Sequence, residues 1–455
     1  MTTASRSDDV AQLARLLDDP AGRYPLYPPL SAFSSGFDAA HFSAAVARSN
    51  GDLIPSALAL HVEVPAPFRA GRALDSATPP TRDASRGHGY LQRLVREVGR
   101  TGDQFDRDRD VTELTLAPGV PRLLGPAQLD ELIDSLTMHF RFPPVHALDM
   151  AFALDAERCQ PHELAAWHAL GFRRISIGNH MIDGEPPAKR GALLARAIGE
   201  CQSVGFSNVR VELSYAGRGL EAGALEALMR PVLEAGPDRV GLRDGLGRPD
   251  DANSEGRPVL DVHSRAERLL QAAERLEAAG YLHVGMDVFA LAGDPLVRAQ
   301  RRGQLHRTVL GYGSHGPVDV VGFGVGAISQ IGGSHSQAHA RMAHWEAAVE
   351  AGVHPTACGV TLDDDDLLRA ELIQQVLCQG RIAPNGFEDR YGVAFSACFA
   401  AELECLAQWV DQGLLIHHGD EWTLGRLLRL APRGLAAVFD HFAGGGAVST
   451  MRAHA

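Results

Sequence analysis

The feature that most restricts the fold is an alternation of short strand-like runs and helix-period stretches, beginning at Ala57 and repeating six times. The strand-like runs are Ala57–Val64 (ALALHVEV), Val111–Ala117 (VTELTLA), Leu148–Leu154 (LDMAFAL), Arg174–Gly178 (RISIG), Asn208–Tyr215 (NVRVELSY) and Arg239–Arg243 (RVGLR). Between them lie Gly89–Arg100, Ala127–His139, Pro161–Leu170, Arg190–Val204 and Gly223–Glu234, whose apolar residues recur with helical spacing. A strand, a helix and a second strand of this length join parallel strands by a right-handed crossover. Six such units favour a barrel or partial barrel, with ligands at the C-terminal ends of the strands. An open, doubly wound sheet is the alternative. Two more strand-like runs follow, His283–Phe289 and Val318–Val321.

The flanks read differently. A helix is expected from Val10 to Leu17, then an extended arm through Arg23-Tyr24-Pro25-Leu26-Tyr27-Pro28-Pro29, where successive prolines forbid regular helix. Arg248–Arg257 is polar and reads as a surface loop. A third region starts near Pro355. The acidic run Asp363–Asp366 precedes Leu367–Leu377 and reads as an N-cap and first helical turn, where carboxylates suit the helix dipole. Metal binding is the other reading. A helix Phe395–Trp409, a hairpin in Gly413–Leu424 turning at Gly419, and a helix Arg426–Phe442 complete a small winged-helix-like module. The expected division is an arm over 1–55, a barrel over 56–350 and a helical module over 351–455.

Composition limits function. The 455 residues carry 43 Lys and Arg against 56 Asp and Glu, a formal net charge of −13. Broad nucleic-acid binding needs a basic surface to release counterions, so none is expected. No apolar run is long enough to span a membrane. The cysteines, Cys159, Cys201, Cys358, Cys378, Cys398 and Cys405, have no paired spacing and read as reduced thiols, which suits cytoplasm. Nucleophile-elbow, P-loop and HExxH motifs are absent.

Several stretches carry a resemblance. Gly22-Arg23-Tyr24 with Tyr27-Pro28, then Gly171-Phe172-Arg173-Arg174-Ile175-Ser176-Ile177-Gly178, lead to the most specific part. That part runs from Gly280-Tyr281 through Gly285-Met286-Asp287 and Phe289-Ala290 to Leu305-His306-Arg307, Gly311-Tyr312 and Gly322-Phe323-Gly324-Val325-Gly326-Ala327-Ile328-Ser329. In this order and spacing, the chain resembles the oxygen-independent coproporphyrinogen III oxidase family of radical S-adenosylmethionine (SAM) proteins. The resemblance implies an α/β fold, a partial (β/α)6 TIM-like barrel of radical SAM type, and a tetrapyrrole substrate. It also implies a four-iron–four-sulfur cluster held by a CxxxCxxC loop after the first strand, with SAM on its open iron.

The departures cluster on that chemistry. The three cluster positions fall on Pro67, Gly71 and Leu74, none with a donor atom, and the cysteine just beyond falls on Ser76. The glycine-rich SAM turn falls on Ala117-Pro118-Gly119-Val120-Pro121. The family's SAM-contacting Glu, Gln and Tyr fall on Ala153, His180 and His61, and its alanine after strand six on Leu246. Glu212 stands for an Asp, and Ile328 is unchanged, so these two are the remnants of the SAM site. The expectation is a catalytically degenerate member with no cofactor of its own, binding a tetrapyrrole such as porphyrin or haem, or regulating a genuine oxidase. The alternatives are coproporphyrinogen dehydrogenation through an unconventional cofactor, and haem trafficking.

The remaining candidates carry two readings each. His306-Arg307 offers a cation for a tetrapyrrole propionate, or a structural ion pair. Arg243-Asp244 with Arg248, at a strand C-terminus, offer an anion site or a local salt bridge. Gly322 and Gly324, with Ala327, line the expected substrate cleft or form a dinucleotide fingerprint. His335 and His339 share a face if Ser334–Met342 is helical and suit a haem iron, or belong to an exposed polar helix. His417 and His418 sit in the hairpin, where neighbours point to opposite faces.

Overall fold

The computed structural model describes residues 3–18, 27–65, 84–144, 148–178, 186–216, 223–244 and 260–443. Its centre is the strand series β1 (Ala57–Val62), β2 (Val111–Leu116), β3 (Asp149–Asp155), β4 (Arg174–Gly178), β5 (Asn208–Ser214) and β6 (Arg239–Arg243). Each pairs in parallel with the next. Strand order therefore follows chain order, as the barrel reading requires. A doubly wound sheet reverses order at a switch point, and this sheet has none across β1–β6.

Further strands extend the sheet at both sides. β7 (Tyr281–Gly285) and β8 (Val288–Leu291) add an antiparallel hairpin beyond β6. A separate hairpin, β9 (His306–Thr308) with β10 (Gly311–Gly313), follows. Beyond β1 lie β11 (Val318–Phe323), parallel to it, then β12 (Ile328–Ile331), β13 (Ser334–Ala338) and β14 (Thr356–Thr361), all antiparallel. The order β14-β13-β12-β11-β1-β2-β3-β4-β5-β6-β8-β7 leaves β14 and β7 as edges, so among the described residues hydrogen bonds do not close the barrel.

Side-chain alternation explains why this sheet curls around a core on one face only. Leu60, Val62, Leu114, Leu116, Phe152, Ile175, Val211 and Leu242 are all buried. They face the helices Ala84–Gly102, Pro126–His139, Pro161–Ala169 and Pro187–Val204; Phe152 stacks on Trp167 with ring centroids 4.8 Å apart. Outward residues are apolar because helices cover them, which leaves the alternate set for the interior.

Several expected elements differ. His283–Phe289 is not one strand: the chain reverses at Met286, whose φ of 49° turns β7 into β8. Ser334–Met342 is not helical; it holds β13, paired on both sides. The expected helix Phe395–Trp409 is two, Phe395–Cys398 and Ala400–Asp411. The expected Arg426–Phe442 helix is interrupted at Pro432 into Arg426–Leu430 and Arg433–Val438, because proline lacks the N–H that continues a helix. The acidic run behaves as expected: Asp363 caps the helix Asp364–Gln374, accepting from Asp366 N–H at 2.9 Å. That helix runs into one π-helical turn, Gln375–Gln379. The hairpin is β16 (Leu415–His418) with β17 (Glu421–Leu424), joined by β15 (Arg381–Ile382), and Gly419 supplies the positive φ of its turn. The extended arm is described only from Tyr27, whose hydroxyl donates to Asp366 at 2.9 Å. The expected Arg248–Arg257 loop lies outside the described residues.

Candidate functional site

The register of the parallel strands fixes which side chains share the interior. Glu113 stands beside Asp149, Arg174 beside Asn208, Arg210 beside Arg239, Glu212 beside Gly241, and Ser214 beside Arg243. Hydrophilic residues thus line the concave face from bottom to top. A charged residue in such a place needs a partner, and each row supplies one.

At the lower end, where the strands begin, Arg174 donates to Asp149 at 2.8 Å and to Glu113 at 2.5 Å. Arg239 and Asn208 both donate to Asp294 Oδ2, at 2.7 and 2.8 Å. His315 lies 3.9 Å from Asp149. Burial pushes the Asp149 carboxyl up, but Arg174 and His315 outweigh it and hold it below its ordinary value. The neighbouring Asp149 carboxylate in turn raises the His315 imidazole. This network seals the floor of the cleft.

The upper end is different. Glu212 is buried, and both its oxygens are taken: Arg210 lies 2.5 Å from Oε1, and Arg243 donates to Oε2 at 2.6 Å. Burial raises this carboxyl; the two guanidiniums win and depress it. Only glycine fits opposite, since a Cβ on Gly241 would stand 2.7 Å from Glu212 Oε2. The Arg243 side chain is 56% exposed, so one face of its guanidinium meets solvent at the mouth. Asp244 lies 3.6 Å from Arg265. Between β2 and β3, Arg122 and Asp155 form an ion pair across the strand ends. Arg122 belongs to the short helix Val120–Leu123, whose Val120 and Pro121 are buried where the resemblance expects a glycine turn. On β1, His61 Nε2 lies 3.7 Å from Glu63, and His61 Nδ1 is buried without a partner.

The side of the cleft is filled by the β9–β10 hairpin. Arg307 N–H donates to Gln374 Oε1 at 3.0 Å, and Gln374 Nε2 returns a bond to Arg307 O at 2.6 Å. The Tyr312 hydroxyl donates to Leu377 O at 2.7 Å, within the π-helical turn. Arg307 lies over the Tyr312 ring, 5.9 Å from its centroid. Burial pushes the His306 imidazole down to about 4, so it is neutral at physiological pH.

The other sequence candidates separate. Gly322 faces the cleft through β1 and β11, but its hydrogen is required by packing: a Cβ would lie 2.5 Å from Ile328 O. Gly324 has φ +96°, and a Cβ there would overlap Tyr90 Oη and Glu63 O. Both are packing glycines. The dinucleotide fingerprint is corrected outright, since β11 leads through a turn into antiparallel β12 and no helix N-terminus follows to hold a pyrophosphate. Ile328 opens β12, half-buried beside Gln337. The exposed-helix reading of His335 and His339 fails with the helix. His335 is 3% exposed in β13, and four residues along a strand span about 13 Å, too far for one metal ion. His417 stacks on Trp422, and both histidines of its pair are exposed. Pro67, Gly71, Leu74, Ser76, His180, Leu246 and Arg248 lie outside the described residues.

Arg210, Arg122–Asp155 and the Glu113–Arg174–Asp149 network escaped the sequence reading. Their signal was the period-2 alternation in NVRVELS and RVGLR. In a sheet covered by helices outside, the polar half of that alternation points inward.

No family profile matches the chain. It is similar to oxygen-independent coproporphyrinogen III oxidases: that of Pseudomonas aeruginosa is 29% identical over 449 residues, covering 95% of each chain. That of Synechocystis is 26% identical over 454 residues, covering 97% of each. Among solved structures, the Escherichia coli coproporphyrinogen III oxidase, a radical SAM enzyme, superposes with a TM-score of 0.80 at 25% identity, over 92% of this chain and 97% of that one.

Proposed function

This chain belongs to the oxygen-independent coproporphyrinogen III oxidase family, and we propose that it binds a tetrapyrrole without running radical SAM chemistry. The observation that carries this reading is the segment Val62–Ser76, which contains no cysteine, methionine or histidine. A four-iron cluster is held by thiolates, and no side chain lacking a donor atom replaces them. The residues present do not fit the cluster. They do not fit SAM either: Glu212 is already saturated by Arg210 and Arg243, and Val120 and Pro121 fill the turn after β2. Neither group therefore has a part in what this chain does.

What supports ligand binding is the polar concave face of the sheet, which paired charges line. Its floor is sealed by paired charges, its side is closed by the β9–β10 hairpin, and its mouth presents the Arg243 guanidinium. An arginine at a wet mouth suits a carboxylate, and a tetrapyrrole bearing propionates presents several. The protein then acts by carrying such a molecule or by modulating an active relative.

Anaerobic reconstitution with iron and sulfide tests the first half. The expected product has no stoichiometric iron and does not cleave SAM; four irons per chain with SAM cleavage would establish an enzyme instead. Titration with coproporphyrin III tests the second half, and the expected result is saturable binding at one site per chain. A linear, unsaturable response removes the ligand role.

A further inference from the structure

Away from the cleft, a cavity of about 240 Å³ lies between the C-terminal ends of two helices, Ala84–Gly102 and Met342–Glu350. Its lining includes Glu97, Thr101, Gln104 and His354. Each of these side chains has a buried polar atom without a hydrogen-bond partner: Glu97 Oε1, Thr101 Oγ1, Gln104 Oε1 and His354 Nε2. Glu97 and Thr101 are 3% and 1% exposed. Leaving a buried polar group unsatisfied is costly, and folded proteins carry few such groups. Four on one cavity wall call for an occupant.

The fixed bonds around the cavity define what fits. Glu97 is anchored through its other oxygen, Oε2, which accepts from Gly324 N–H at 3.0 Å and from the Trp345 indole at 3.1 Å. Its Oε1 is thereby turned to the cavity. His354 is stacked on Phe42 with ring centroids 3.6 Å apart, and its Nδ1 engages Thr356 Oγ1 at 2.7 Å, leaving Nε2 for the cavity. Three of the four orphans are oxygens, and a helix C-terminus concentrates negative partial charge. At the exposed rim the Arg100 guanidinium already sits on such a carbonyl, that of Val349. Burial pushes the Glu97 carboxyl up to about 8, and a cation seated against it favours its ionised form. Acceptors, this carboxyl group and two helix C-termini together describe a seat for positive charge.

We propose that this cavity binds a small organic ammonium ion, whose N–H groups satisfy Glu97 Oε1, Thr101 Oγ1 and Gln104 Oε1. Its size admits a few heavy atoms rather than a cofactor. Through Glu97 the ligand stands one carboxylate away from the Gly324 turn that leads to β12, so occupancy is reported by Trp345 without touching the tetrapyrrole cleft.

The test is a titration of the full chain with ethylammonium chloride at constant ionic strength, read by tryptophan fluorescence and thermal midpoint. Tetramethylammonium chloride, which has no N–H donor, and sodium chloride are the controls. A saturable change with ethylammonium alone is expected, weakened at least tenfold in Thr101→Val and in Glu97→Gln. Thr101→Val keeps shape and removes an unsatisfied hydroxyl, so it remains informative where Glu97→Gln fails to fold. Equal responses to all three salts, saturation by sodium alone, or no saturable response with the cavity holding only water would each overturn the assignment. So would full retention of binding in Thr101→Val.

Discussion

Replacing Arg243 by alanine separates the ion pair this side chain makes with Glu212 from the propionate contact proposed for it. Its Nε is 2.6 Å from Glu212 Oε2, and Arg210 holds the other oxygen at 2.5 Å. Two unit charges 4 Å apart attract by about 4 kcal/mol at an effective dielectric constant near 20. The Arg243 side chain is 56% exposed, however, so solvent screening leaves about 1 kcal/mol of net stabilisation. Glu212 keeps Arg210 in the variant and does not become an unpaired buried charge. Arg243→Ala therefore folds, with a stability loss of about 1 kcal/mol. Under the proposed function, its effect on tetrapyrrole binding is larger. A hydrogen bond to a charged group contributes about 1.5–3 kcal/mol, which is about 10- to 100-fold in affinity. Fluorescence titration with coproporphyrin III should show that loss, and titration with its tetramethyl ester, which carries no carboxylate, should show none. Equal losses for acid and ester would mean that Arg243 shapes the cleft rather than binding propionate. No loss for either would remove it from the site.

Three other outcomes follow from the same geometry. Gly324→Ala adds overlap with Tyr90 and Glu63 to the strain of φ +96°, whereas Gly316→Ala at φ +76° meets nothing within 4 Å; denaturant unfolding should place the first about 2–3 kcal/mol below the second, and equal stabilities would refute the close approach. His306 and His335 are pushed down to about 4 by burial. The unfolded chain therefore binds more protons than the folded one between pH 6.5 and about 4, so stability is complete above that window and falls as pH drops through it; a thermal midpoint flat from pH 7 to 4.5 contradicts this. Below that window the depressed Asp149 and Glu212 carboxyls contribute stability that disappears only as pH falls through their lowered folded values, and Glu212→Gln should flatten that last acid step.

Much of the architecture was legible because it rests on local patterns. RISIG and RVGLR form strands with the bounds the sequence suggests, and the Asp363 cap follows from side-chain chemistry within four residues. The errors fell where local preference competed with a distant partner. SHSQA contains no strong strand former, yet it is a strand because β12 and β14 offer hydrogen bonds on both sides. His283–Phe289 has one unbroken pattern, and the reversal at Met286 appears only when β8 pairs with β6. In the site, Glu212 and Arg243 were recognisable individually, while Arg210 was hidden as one polar residue in an apolar strand.

Composition and periodicity decided the class of fold, the apolar outer face of each strand and the absence of sulfur from the first loop, because all three are properties of neighbouring residues. The tertiary structure alone decided that Glu212 is shared by two arginines, that Gly322 and Gly324 serve packing, and that His335 is inaccessible. Each of those depends on atoms brought together from strands far apart in the chain, and only the register of the sheet sets which of them meet.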